Sequence, residues 1–131
     1  MLRSICIVLI TSATVVTLSS FQQKTKPDGK ALYQQYCLAC HQADGEGVPH
    51  LAPPLAGSKA LLAKPNVPIQ IVLKGSAAQW QREDTYANPM AAHNFLKDDE
   101  IAAILTFVRS NFGNKATPIT TATVAAERKR S

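Results

Sequence analysis

Cys37, Cys40 and His41, within Cys37-Leu38-Ala39-Cys40-His41, are the residues whose types and spacing could do chemistry. Two thiols three positions apart, with a histidine directly after the second, have the spacing of a covalent c-type haem attachment site. Each thiol adds to one vinyl group of the porphyrin. The two intervening residues bring the sulfurs to one face of a helical turn, and His41 then presents its imidazole to the iron. A rigid macrocycle fixes the vinyl and iron positions, so the chemistry dictates this spacing. Cys-x-x-Cys without the histidine also serves zinc sites, redox pairs and disulfides. A zinc site here would have to take its remaining ligands from His50 and His93.

Residues 1–20 read as an export signal. Arg3 gives a positive start, an apolar run from Ile5 to Leu18 follows, and Ser19 and Ser20 are small. The run is short, and Thr11, Ser12, Thr14 and Thr17 interrupt it, so a cleaved leader is expected rather than a retained membrane anchor. Of the three cysteines, Cys6 leaves with the leader, and Cys37 and Cys40 remain. Attachment of haem to this motif takes place outside a bacterial-type inner membrane, so export and motif agree, and the expected location is the periplasm. The formal net charge is +5, falling to about +4 once Arg3 is gone. The basic residues are dispersed apart from Arg128-Lys129-Arg130, and nucleic-acid binding is not expected.

The elements that must position this motif follow from local signals. Residues 21–26 read as a linker. Pro27-Asp28 opens a helix, with Asp28 as its cap, which runs through Ala31, Leu32 and Tyr36 into Cys37. Ala43 to Lys59 is rich in glycine and proline and reads as a loop wrapped over the haem edge. Lys59 to Ala63 forms a turn. Asn66 is the expected cap of the next helix, with Pro68 in its first turn, Ile69, Val72 and Leu73 on its apolar side, and Gly75 ending it. Ser76 to Leu96 reads mostly as loop. Asp98-Asp99-Glu100 place three acids at the start of the last strong helix, where the helix dipole favours them. Its apolar positions are Ile101, Ile104, Leu105, Val108 and Phe112, and Gly113 is expected to close it. The domain is therefore 27–113. Residues 114–131 form a tail in which Thr121 to Arg130 makes a short helix if it packs on the domain, and frays if it does not.

With the leader removed, Met90 is the one remaining methionine, in the loop before the last helix. A thioether there completes a His/Met iron, a ligand pair that raises the reduction potential and suits electron transfer. Out of context a lone methionine fills a core. His93, three residues on, is the competing ligand and would lower the potential. His50 follows the motif too closely to compete well. If Met90 stays free, the iron is five-coordinate, and the reading becomes a haem enzyme or gas-binding protein. Trp80 and Tyr86 can reach haem propionates with their polar tips or sit as half-buried aromatics. Pro53 or Pro54 can offer a carbonyl that orients the His41 ring.

Taken together, these stretches resemble the class I single-haem cytochromes c. Gly29-x-x-x-Tyr33-x-x-x-Cys37 is similar to their first helix, in which the glycine lets the last helix cross closely and the aromatic packs against it. Ala52-Pro53-Pro54-Leu55-Ala56-Gly57 resembles their proline-bearing loop, and Asp98 to Arg109 resembles their terminal helix. Pro89 precedes Met90 here, where family members often have proline after the methionine. Lys97 stands where Ser or Thr usually opens the last helix, which makes Asp98 the alternative cap. The stretches 111–115 and 124–128 resemble cytochrome modules that accompany bacterial periplasmic sugar and alcohol dehydrogenases.

The resemblance implies an all-α fold of three to five helices around one covalent haem c. It implies iron ligation by His41 and Met90 and attachment through Cys37 and Cys40. The implied role is electron carriage, not catalysis. The implied partners are redox proteins: a donor dehydrogenase or quinol-oxidising complex, and an acceptor oxidase or other cytochrome. A membrane enters only through a retained leader.

A domain this short builds a thin core without help. Haem supplies the missing apolar surface, so a Cys37→Ala, Cys40→Ala variant should lack native-like far-UV circular dichroism and a cooperative melt. Retention of both by that variant would contradict the coupling of folding to haem.

Overall fold

Asp28 starts the first helix by accepting hydrogen bonds from the Lys30 and Ala31 amides at 2.9 and 3.3 Å. A computed structural model describes residues 25–76 and 86–131. These contain α1 (Gly29–Tyr36), α2 (Leu38–His41), α3 (Lys59–Leu62), α4 (Asn66–Lys74), α5 (Asp98–Ser110) and α6 (Thr121–Arg128). Two of the six, α2 and α3, are four-residue turns. Among the described residues there is no strand, only a single bridge between Val48 and Ala52. The export leader and Trp80 lie outside the described residues.

The frame is the crossing of α1 and α5. An added Cβ at Gly29 would strike the Ala103 carbonyl and press on Phe107, so only glycine permits this approach. One turn later Tyr33, 2 % exposed, packs its ring 5.5 Å from Phe107 and 5.4 Å from Phe112. Ile101, Ile104, Leu105 and Val108 fill the core from α5, and Ile69 and Leu73 fill it from α4.

Three helix ends differ from expectation. Asn66 lies inside α4, and Pro65 holds the cap position without a side-chain hydrogen bond. Its fixed φ of −50° already sets a helical start, and Pro68 sits in the first turn as expected. Lys97, not Asp98, is the cap residue of α5. Glu100 reaches back to accept the Lys97 amide at 2.8 Å, so no capping oxygen on residue 97 is required. At the far end α5 stops at Ser110 rather than at Gly113. Asn111 turns extended and donates its side-chain amide to the Phe107 carbonyl at 2.8 Å, and Phe112 and Gly113 take positive φ.

The tail packs. Thr120 caps α6 by accepting from the Thr123 amide at 3.1 Å, and Val124 is fully buried against α4 and α5. Ile119 is buried as well. Its amide donates to the Thr106 hydroxyl at 3.0 Å, and that hydroxyl donates to the Ile119 carbonyl at 3.1 Å.

Arg109 ties these pieces together from inside. It lies four residues after Leu105 on the apolar stripe, is 2 % exposed, and donates to the carbonyls of Leu61, Ala63 and Thr117. Replacing it leaves those carbonyls without their donor. Arg109→Met should lower the free energy of unfolding of the holoprotein by about 2–4 kcal/mol, read as a shift of the urea midpoint. An unchanged midpoint would contradict this assignment.

Candidate haem site

The motif occupies the junction of α1 and α2. Cys37 ends α1, with its amide donating to the Tyr33 carbonyl at 2.8 Å, and it also begins α2. The His41 and Gln42 amides bond back to Cys37 and Leu38 at 2.9 Å each, which closes a tight turn. Cys37 is half-buried and Cys40 exposed, and neither is in a disulfide. Burial, and then the neighbouring Cys40, push the Cys37 thiol up to about 11.

Chain direction reverses directly after His41. Gln42 adopts φ +61°, an uncommon value for a residue with a Cβ. Its carbonyl accepts the Tyr33 hydroxyl at 2.6 Å. Burial, followed by the fields of Cys37 and Asp44, raises that hydroxyl to about 12, so it remains a donor.

The reversal brings the proline loop back over the histidine. Gly47 donates to the His41 carbonyl at 3.2 Å, and the Gly45 carbonyl accepts from Leu55 and Ala56 at 2.7 and 3.1 Å. His41 Nδ1 then lies 3.0 Å from the Pro53 carbonyl. A carbonyl only accepts, so Nδ1 carries the proton and Nε2 presents its lone pair. Of the two expected prolines, Pro53 is the partner. His41 is 8 % exposed. Burial lowers its pKa below the ordinary histidine value, the Pro53 hydrogen bond opposes that, and nearby His93 adds to the lowering. A neutral imidazole with a free Nε2 is what a metal ligand requires.

Asn114 pins this loop to α5, and the sequence reading missed it. It accepts the Gly57 amide at 2.9 Å and donates to the Leu55 and Val108 carbonyls at 3.0 and 2.9 Å.

Met90 comes from a separate segment, half-buried against the core. Its amide donates to Ser76 Oγ at 2.8 Å, and its carbonyl accepts the Ser76 amide at 3.0 Å. Gly75 allows this pairing, because a Cβ there would run into the Met90 carbonyl. His93 is fixed by its amide to the Val72 carbonyl at 2.8 Å, and its Nδ1 lies 2.9 Å from the Ala91 carbonyl. Its ring stands 6.4 Å from Tyr36, the residue before Cys37, so the Met90 segment abuts the motif turn. His50 takes φ +62° in the wrapping loop, and its carbonyl accepts from Ala87 at 2.8 Å. Tyr86 is half-buried and lines a small cavity with His50 and Pro54.

This donor set fits haem. Two sulfurs and an oriented, neutral imidazole share one turn, and a thioether stands on an adjoining segment. The surrounding Tyr36, Leu38, Leu55 and Met90 are only partly covered by the core they pack on. Among the described residues no group of three or more His, Cys, Asp or Glu is arranged to hold a bare metal ion.

Residues 27–112 match the Cytochrome c family model. Cytochrome c-552 of Thermus thermophilus is 38% identical over 92 residues, covering 66% of this chain and 70% of its own. The cytochrome c subunit of alcohol dehydrogenase (quinone) of Gluconobacter oxydans (strain 621H) is 32% identical over 90 residues, 67% of this chain and 19% of the subunit. The gluconate 2-dehydrogenase cytochrome c subunit of Pantoea cypripedii is 32% identical over 105 residues, 77% of this chain and 24% of the subunit. The chain thus spans about a fifth to a quarter of the dehydrogenase subunits it matches. The helical fold around an oriented histidine, the motif turn and the match over residues 27–112 agree: the chain belongs to the cytochrome c family, whose members carry covalently attached haem c.

Proposed function

We propose that this protein is an exported one-electron carrier in which Cys37 and Cys40 attach the haem and His41 and Met90 ligate its iron. Bound haem supplies a ferric/ferrous couple. The rest is the work of the chain. The Pro53 carbonyl holds His41 in one tautomer and one orientation. Ser76 fixes the backbone of Met90, whose soft sulfur favours the reduced metal. The observation that carries the reading is the paired restraint of His41 by Pro53 and of Met90 by Ser76, on segments that meet at Tyr36 and His93.

The expected docking face surrounds that meeting point. Phe95 is 65 % exposed, its ring edge-on to Tyr36 at 5.7 Å and tilted against His93 at 5.6 Å, an apolar centre for a small, transient contact. Lys74, the last residue of α4, and Lys97, the cap of α5, are exposed. They suit an acidic partner surface, and the dehydrogenase cytochrome subunits among the relatives make a periplasmic dehydrogenase the favoured donor class. The leader at 1–20 would place the carrier where such donors act. No helix among the described residues is long and apolar enough to cross a membrane.

Met90→Ala should abolish the weak far-red band of methionine-ligated ferric haem, lower the reduction potential and make the ferrous protein bind carbon monoxide. His93→Ala should leave all three properties unchanged. The opposite pattern would assign the sixth position to His93. Electron transfer from an acidic donor should slow severalfold as ionic strength rises through the physiological range. A salt-independent rate would remove the steering role of the lysines.

A further inference from the structure

We propose that Arg128, at the end of α6, is a positioning residue for the sixth iron ligand, latching the segment that carries Met90 and limiting how often it leaves the iron. The proposal rests on Met90 as ligand, as given above.

The segment from Met90 to Leu96 has no helix of its own, and Ala91, Ala92, Asn94 and Phe95 are exposed. Such a segment opens more readily than the helices beside it unless specific bonds hold it. Besides the core packing of Met90 and of buried Leu96, hydrogen bonds from other segments hold it at three places. Buried Ser76 holds Met90 at the start, and the Val72 carbonyl holds the His93 amide in the middle. Both of these anchors belong to α4 and the residues just after it.

The third anchor is Arg128. It donates through Nη1 to the Asn94 carbonyl at 2.8 Å and through Nη2 to the Leu96 carbonyl at 2.6 Å. Its Nε donates to Asp98 Oδ1 at 2.7 Å. A planar guanidinium can span three acceptors in this way, whereas a lysine ammonium is a compact point charge on a flexible stem.

The latch is itself fixed. Val124 is buried, and Gln70 on α4 donates to the Glu127 carbonyl and to its Oε2 at 3.0 and 3.1 Å. Asp98, in the first turn of α5, orients the guanidinium. The two side chains of that ion pair are 32 and 28 % exposed, so water screens their attraction. The two carbonyl bonds are therefore what Arg128 itself adds to the segment. They join α6 to the end of the ligand segment and leave the Cys37–His41 turn untouched.

The test measures imidazole binding to the ferric holoprotein, by its optical spectrum, alongside the urea midpoint. Imidazole competes with the sixth ligand and reports how often that ligand leaves. Arg128→Ala should raise imidazole affinity by about tenfold, the equivalent of roughly one charge-assisted hydrogen bond. Arg128→Lys should recover little of the loss, and Asp98→Asn should shift affinity less than Arg128→Ala does. Arg109→Met, which loosens the fold through α3 and the Thr117 segment, should lower the urea midpoint without raising imidazole affinity.

If folded Arg128→Ala binds imidazole within about twofold of the wild type, the proposal is overturned. It is equally overturned if Arg109→Met raises affinity as much as Arg128→Ala, since the effect would then be general instability. Should Arg128→Ala not accumulate with haem, Arg128→Lys is read in its place, and wild-type imidazole affinity there overturns the latch. A wild-type ferric spectrum lacking the methionine band and unchanged in Met90→Ala would remove the ligand reading and the latch with it. With that band present, an unaltered imidazole affinity removes the latch alone.

Discussion

A porphyrin is rigid, so its attachment points and its axial ligand cannot adapt to the chain, and the chain must adapt to them. With haem attached and ligated as proposed, that constraint accounts for the local geometry around Cys37, Cys40 and His41. The helix breaks at Cys37, a single turn carries the motif, and Gln42 accepts an uncommon backbone conformation to send the chain back at once. The return is what lets the Pro53 carbonyl meet His41 Nδ1. Beyond that turn, Asn114 holds the returning loop in place, and Gly29, Tyr33 and Phe107 build the frame on which the turn sits.

The two regions that would supply the proposed ligands are held by different means. His41 lies in a densely bonded loop joined to the end of α5 through a buried asparagine. Met90 lies on an open segment fastened at a few points to α4 and α6. The histidine side is thus built to stay, and the methionine side depends on a small number of bonds.

Much of this was legible in the residues themselves. The motif spacing, the Asp28 cap and the acidic start of α5 are local signals, and local signals survive in sequence; the glycine at the helix crossing came from the family resemblance. The helix ends that came out differently were settled by groups reaching back along the chain: Glu100 to the Lys97 amide, and Asn111 to the Phe107 carbonyl. The contribution of Arg109 left a trace that could have been used, because a charge on the apolar stripe of α5 has to find buried partners. Asn114, Ser76 and Arg128 left none. Their partners lie far off in sequence or depend on the path of a loop, and small polar residues and terminal arginines are ordinarily solvated. The packing of α6 was open for the same reason, since eight residues do not hold a helix without the surfaces of α4 and α5.

The proposed electron carrier depends on a thioether completing the iron coordination. Iron-edge X-ray absorption of the ferric and ferrous holoprotein reads the ligand atoms directly. The account predicts a sulfur scatterer alongside the nitrogen shell in both oxidation states. A shell of nitrogen alone, whether five- or six-coordinate, would contradict it.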